Sequence, residues 1–188
     1  MQITEPITML TDFALGAASL AFAYLLSRVM GPRNRVSTWL WCAAFITSAI
    51  AALCGATYHG FKLYFDARTM RAFWNVIVYS MGASTGLMVA GCHTADLKSG
   101  GFVKWLAAGI AVTLLGMIVQ ASQFRHNADF NHNDAYHVIQ IFGLYLFFQA
   151  ASRLRDRSSA LPEDSQLVHF SQRAVSLSVR EIDTETDQ

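Results

Sequence analysis

Five long stretches of the sequence carry almost no charge, and they limit what the chain can fold into. Four of them lack Asp, Glu, Lys and Arg entirely and cover residues 36–61, 72–95, 105–124 and 135–152. The first stretch, residues 7–27, contains a single charge, at Asp12. About 20 apolar residues let a helix cross the roughly 30 Å of bilayer hydrocarbon, where a helix satisfies its own backbone polar groups. We therefore predict an all-α integral membrane bundle of five transmembrane helices.

The predicted spans define a membrane domain that is followed by a tail. We place the spans at about residues 7–27, 37–61, 72–95, 105–124 and 134–152, within a domain of residues 1–157. Residues 158–188 are rich in Ser, Asp, Glu and Gln, which predicts a mostly disordered polar tail. Only 14% of the 188 residues are charged, against about 25% in soluble domains. We expect the lipid bilayer as partner, no nucleic acid, and a location in the cell membrane, which would be the inner membrane in a bacterium.

The basic residues that flank the spans predict an orientation. Eight of them follow spans one, three and five, namely Arg28, Arg33, Arg35, Lys98, Lys104, Arg153, Arg155 and Arg157. Only four lie on the other side, namely Lys62, Arg68, Arg71 and Arg125. Cytoplasmic loops carry the excess of Lys and Arg. We therefore expect the N-terminus outside and the C-terminus in the cytoplasm.

Each span also carries small or weakly polar residues three or four positions apart. Such residues share one helix face and can turn it towards the bundle interior. The stripes run Asp12, Gly16, Ser19, Ala23, Ser27; Ser48, Ala52, Gly55, His59; Asn75, Tyr79, Gly82, Gly86; Gly109, Thr113, Gly116, Gln120, Gln123; and Asn133, His137, Gln140, Leu144. We interpret the Gly82 and Gly86 pair as a helix–helix contact.

With this orientation, the strongly polar side chains of the spans lie at one level, near the outer surface. They are Asp12, His59, Asn75, Gln120, Gln123, His132, Asp134 and His137. His93 lies at the opposite end of span three and is excluded from this group. Ionisable residues are costly to bury in a membrane, so those of the outer group are functional candidates.

Two histidines of the outer group, His59 and His137, have the chemistry of metal ligands. Neutral imidazole is the commonest protein metal ligand, and catalytic zinc sites keep one coordination position open for water. The third ligand could be His132, Asp12 or Asp134. In such a site Asp134 or Asp12 would act as the general base on metal-activated water.

The same residues allow two other interpretations. Asn131, Asn133 and Asp134 could cap the last helix in a non-enzymatic sensing, binding or accessory protein, where the polar cluster is structural. His59 and His137 could instead hold a b-type haem between facing helices.

The sequence resembles an uncharacterised family of small bacterial multi-pass membrane proteins. The likeness rests on Thr-Tyr-His-Gly-Phe at residues 57–61, Asn-His-Asn-Asp-Ala-Tyr-His at residues 131–137 and Thr11-Asp12 at the start of span one. More distantly, the arrangement is similar to the alkaline ceramidase group of membrane hydrolases, which includes the progestin/adiponectin-type receptors. In those seven-span hydrolases, a histidine of an early helix and two histidines of the last helix hold zinc. This second resemblance therefore implies that His59 and His137 are zinc ligands.

The chain departs from the ceramidase pattern at several positions. Gly55 stands where those enzymes have Ser, Asn133 stands where they have a second His of the last helix, and five spans replace seven. We nevertheless predict an outward-facing zinc site that activates water to hydrolyse a lipid amide or ester. His59, His137 and His132 are the predicted ligands, and Asp134 and Asp12 are the predicted catalytic residues.

Overall fold

A computed structural model describes residues 2–29, 31, 34–95, 100–123 and 130–154. They form five α-helices: α1 Pro6–Ser27, α2 Arg35–Phe61, α3 Ala67–His93, α4 Gly100–Ala121 and α5 His132–Ala151. Short 3₁₀ helices follow α2 at Lys62–Tyr64 and α5 at Ser152–Leu154. The all-α class and the five helices are confirmed, whereas the predicted tail at residues 158–188 lies outside the described residues.

Four of the described helices, α1 to α4, are long and apolar enough to cross a membrane. Helix α5 has 20 residues and opens with His132, Asn133 and Asp134, so its polar content sets it apart from the other four. A membrane location therefore agrees with the length and composition of four helices. The span over α5 and the orientation stay predictions.

Local hydrogen bonds explain where two of the helices begin. The Asp66 side chain accepts a bond of 2.8 Å from the amide of Thr69 and caps α3. At α5, the Asn131 side chain accepts from the amide of Asn133 at 2.8 Å, and Asp134 Oδ2 accepts from the amide of Asn131 at 2.7 Å. This reciprocal pair is a capping box, so the predicted capping role of Asn131 and Asp134 is confirmed.

The helices form an open arc in the order α3, α2, α1, α5, α4. Helix α3 packs along α2, α2 along α1, α1 against α5, and α5 along α4. Among the described residues, α3 and α4 share no extended packing, although they follow each other in the chain. The arc therefore has two free edges, α3 and α4, and the space inside the arc lies between them.

The apolar core fills the end of the bundle made by the second halves of α1 and α5 and the first halves of α2 and α4. Trp41 is fully buried there, with its ring centroid 6.2 Å from Phe45 and from Phe147 and 6.4 Å from Phe102. Aromatic pairs of this kind add about 0.5–1.5 kcal/mol beyond their buried area. The strongly polar residues of α1, α2, α4 and α5 lie towards the other end.

Most of the predicted interior stripes are confirmed. In α1 the stripe is buried from Asp12 to Ala23, although Ser27 is exposed. In α4, Gly109 and Gly116 are buried, whereas Gln123 is exposed with a positive φ of 50° just after the helix. The stripes of α2 and α5 face the interior of the arc, as described below.

The stripe of α3 that we predicted to face the bundle interior faces outward, so this prediction is wrong. Asn75 is exposed, Tyr79 is 74% exposed, and a Cβ atom added at Gly82 or Gly86 would meet nothing within 4 Å among the described residues. The inward seam carries instead Trp74, Ile77, Met81, Ser84, Met88 and Gly91. These residues alternate three and four apart, the spacing that keeps one face against a neighbouring helix.

Close approach of α3 to α2 explains why Ser84 and Gly91 of this seam are buried. A Cβ atom at Gly91 would lie 2.8 Å from Cδ1 of Trp41, and Ser84 Oγ donates to the Ala44 carbonyl at 2.9 Å. Helices in lipid associate through such small residues and interhelical hydrogen bonds. The stripe of Asn75 and Tyr79 is not placed to make such contacts with α2, so it faces outward.

Substitution of Gly109 in α4 should destabilise the bundle. A Cβ atom there would lie 2.6 Å from two ring carbons of the buried Phe147. We expect Gly109→Ala to lower the free energy of unfolding by about 1–3 kcal/mol, as overpacking does. The matched control is Gly86→Ala in α3, where alanine meets open space and should be neutral or stabilising by up to about 1 kcal/mol. Denaturant unfolding in detergent micelles, followed by circular dichroism, checks the pair, and equal effects would contradict this packing.

Candidate functional site

A cavity of about 450 Å³ lies inside the arc and is lined by residues of all five helices. Its polar wall is formed by Asp12, His59, Gln120, Asn133, His137 and Gln140. Its apolar wall includes Leu15, Trp74, Ile77, Met81 and Leu144. Ligand pockets for small molecules have volumes of roughly 300–1,000 Å³ and combine an apolar lining with a few polar groups. The cavity therefore has the size and the lining of a binding site.

Asp12 and His137 form the most buried polar pair of this wall. Asp12 is 3% exposed, and its Oδ1 lies 3.3 Å from Nε2 of His137. The other ring nitrogen, Nδ1, lies 3.1 Å from Oγ1 of Thr11. The Thr11 hydroxyl also lies 3.0 Å from the Thr8 carbonyl. In the tautomer with the hydrogen on Nε2, His137 donates to Oδ1 of Asp12.

The second carboxylate oxygen of Asp12 has no partner. Oδ2 is buried and makes no hydrogen bond within the described part of the chain. Gly55 of α2 lies opposite, where a Cβ atom would sit 2.9 Å from Oδ2. A serine at this position, as in the ceramidase pattern, would crowd the carboxylate, which explains why glycine fits here. A buried polar atom without a bond costs roughly 1–3 kcal/mol, so Oδ2 is an acceptor that calls for a donor.

A second unpartnered acceptor lies in the same wall. Gln120 Nε2 donates to Asn133 Oδ1 at 2.6 Å, which leaves its own Oε1 buried without a partner among the described residues. Both Gln120 and Asn133 line the cavity. The sequence prediction that α4 and α5 bring polar residues to one level is confirmed for this pair.

The structure places Asp134 outside the cavity lining. It is fully buried, and its Oδ2 belongs to the capping box of α5, while Oδ1 has no partner in the described residues. Its placement favours the structural interpretation of this residue. The catalytic role of Asp134 stays a prediction.

His59 lines the cavity and is held from outside by a residue that the sequence analysis missed. Its Nδ1 lies 2.7 Å from Oε2 of Glu5, and Oε1 of Glu5 accepts a bond of 2.5 Å from Lys62. The Thr4 amide donates to the Gly60 carbonyl at 3.0 Å and fixes the same segment. The signal was available, because Glu5 precedes α1 at the level where α2 ends.

The structure brings two of the three predicted zinc ligands to one cavity but not the third. His59 and His137 both line it, whereas His132 opens α5 and is not among the lining residues. No group of three or more His, Cys, Asp or Glu side chains in the described ranges is placed to hold a metal. Both ring nitrogens of His137 already face partners, Asp12 and Thr11. The donor set as arranged does not fit zinc, and zinc stays a prediction of the resemblance.

Comparison with protein families assigns the chain. The model of a family of unknown function, DUF6962, matches residues 7–99 and 71–156. The chain belongs to the DUF6962 family. No curated protein matches the sequence, and no solved structure does. The DUF6962 matches include Asp12, His59 and His137 but begin after Glu5, and they show no link to the ceramidase group.

The segment before α1 of this DUF6962 protein should loosen at low pH. Burial alone would raise the pKa of Glu5, but hydrogen bonds and charges from Lys62 and His59 outweigh it and hold that pKa below 4.5. A lowered pKa means that the contact is fully stabilising above pH 4.5 and is lost as the pH falls through the lowered value. We expect deuterium exchange of the Thr4 amide, corrected for the intrinsic rate, to rise several-fold between pH 6.5 and 3.5.

The Glu5→Gln variant is the control for this pH effect. It should exchange faster at pH 6.5 already and show no further rise on acidification. An unchanged pH response in this variant would mean that another group controls the segment.

Proposed function

We propose that this protein is a membrane-embedded binding protein whose cavity takes a small amphipathic molecule from the bilayer. The observation that carries the proposal is the unpartnered oxygen of Asp12 at the polar end of an otherwise apolar cavity. A polar head would bond to this oxygen, and an apolar tail would lie against Ile77, Met81 and Leu144. The cavity thus has a polar wall for the head of an amphiphile and an apolar wall for its tail.

The open arc supports entry from the side. Each helix packs against its neighbours in the arc, whereas the two end helices, α3 and α4, share no extended packing among the described residues. Trp74 of α3 and Gln120 of α4 both line the cavity. In a bilayer this gap faces the acyl chains, so a lipid-soluble molecule reaches the cavity without crossing water. Helices α1 to α4 have the length and composition for such a location.

A second candidate is the hydrolysis of a lipid amide or ester, which the resemblance to ceramidases suggested. One observation favours it: Asp12 contacts the imidazole of His137 as a carboxylate does that orients a general base. Zinc bound by His59, His137 and His132 would need His137 to give up Asp12 or Thr11. The binding function needs no such rearrangement and is the one we adopt.

A pair of neighbouring substitutions on α3 tests the binding function. Ile77 lines the cavity, whereas Val78 is 46% exposed on the outer face. We expect Ile77→Trp to fill the cavity and to weaken binding of dodecan-1-ol, dodecylammonium and dodecanoate at least tenfold, and Val78→Trp to leave it within twofold. Native mass spectrometry of protein released from detergent micelles counts the bound molecules.

Two results would overturn the binding function. One is the absence of saturable binding of all three amphiphiles, and the other is equal weakening by both substitutions at matched thermal stability. Elemental analysis of the same preparation tests the second candidate, which requires zinc that is lost on replacing both His59 and His137 by alanine.

We also propose the orientation that the flanking charges predict, with the N-terminus outside. In a variant without its three native cysteines, a cysteine replacing Gln2 should react with a membrane-impermeant maleimide in intact cells. A cysteine replacing Ser158 should react only after permeabilisation. The reverse labelling pattern would place the mouth of the cavity on the cytoplasmic side.

A further inference from the structure

We infer that the molecule bound in this cavity carries a cationic amine head, so that the ligand class is a single-chain amphiphile with a primary or secondary ammonium group. This inference rests on the proposed binding function and names its ligand. It starts from the two unpartnered atoms of the polar wall, Asp12 Oδ2 and Gln120 Oε1. Both are hydrogen-bond acceptors, so each calls for a donor from the ligand. A primary or secondary ammonium group supplies two or three N–H donors, enough for both atoms.

The charges around the cavity favour a cation over an anion. No Lys or Arg is among the described lining residues, and Lys62, which directly follows α2, is bonded to Glu5 outside the wall. Two buried carboxylates, Asp12 and Asp134, lie towards this end of the bundle, together with the imidazoles of His59 and His137, which line the cavity. An anionic head would face the Asp12 oxygen without a donor of its own, which is a costly arrangement in a site of low dielectric constant.

Aromatic rings in the wall add to this preference. Trp74 and Tyr136 both line the cavity, from α3 and α5. A ligand ammonium within about 6 Å of an aromatic face is attracted by the ring quadrupole. A neutral alcohol has one donor and no such attraction, so it can satisfy only one of the two acceptors.

The matched dodecyl series tests the head group with the wild-type protein. Dodecylammonium is cationic at neutral pH because alkyl amines, like lysine, titrate near pH 10. At pH 7 and in one detergent, we expect it to bind at least tenfold more tightly than dodecan-1-ol and more tightly still than dodecanoate. Native mass spectrometry gives the three dissociation constants.

Substitutions test whether the polar wall of the cavity causes the preference for the ammonium head. Asp12→Asn should remove most of the preference for the ammonium over the alcohol. The charge-matched control, Asp66→Asn, removes a carboxylate from the exposed cap of α3 and should retain the preference, because asparagine also caps a helix. Gln120→Glu should strengthen ammonium binding, which keeps the test valid where Asp12→Asn lowers the yield of folded protein.

The outcomes separate this inference from the function on which it rests. Saturable binding of dodecan-1-ol or dodecanoate as tight as that of dodecylammonium would overturn the amine head and leave the binding function standing. Saturable binding of none of the three would overturn both. Retention of the ammonium preference by Asp12→Asn, together with no gain from Gln120→Glu, would also overturn the assignment.

Discussion

The contact between α1 and α5 is the interaction on which the rest of this structure depends, because it joins the two halves of the arc. One half is α3, α2 and α1, and the other is α5 and α4. At the polar end the seam is made by Asp12 and Thr11 against His137, and at the apolar end by Phe22 stacked on Phe148 with ring centroids 5.2 Å apart. Without this seam the two halves would not enclose a cavity.

The same seam buries a carboxylate oxygen of Asp12 that has no hydrogen-bond partner among the described residues. Asp12 must be buried to reach His137, and the bond to Nε2 occupies only one of its two oxygens. Gly55 lets α2 approach this carboxylate so closely that a Cβ atom there would lie 2.9 Å from Oδ2. The cost of the unpartnered oxygen lowers stability in the free protein and is recovered when a donor binds. A site of this kind exchanges stability for binding, as functional sites commonly do.

The helices could be predicted from the sequence because two strong rules act on them. Long stretches without charge set their number, and the local caps set their starts, as Asn131 does for α5. Sharing of a helix face also predicted that His59 and His137 line one interior. This worked because residues three or four apart on α2 and on α5 share the helix face that borders the cavity.

The errors came from features that periodicity does not encode. Helix α3 has two candidate stripes, and the choice between them is made by contacts with Trp41 and Ala44 of α2, which lie far away in the chain. The contact of Glu5 with His59 was missed because Glu5 precedes α1 and belongs to none of the periodic stripes. His132 precedes His137 by five positions, so on α5 the two point about 140° apart, and only His137 faces the cavity.

The polarity of α5 connects the fold with the proposed function. This helix is too polar to rank with the other four as a membrane span, yet Asn133, His137 and Gln140 all face the cavity rather than the outer surface of the bundle. A helix of this kind is stable in a bilayer only when its polar side is covered, and α1 and α4 cover it from the two sides. On this side of α5, Asn133 accepts a hydrogen bond from Gln120 of α4, and His137 contacts Asp12 of α1. The same polar face therefore joins α5 to both neighbouring helices and forms the wall that the proposed ligand head would meet.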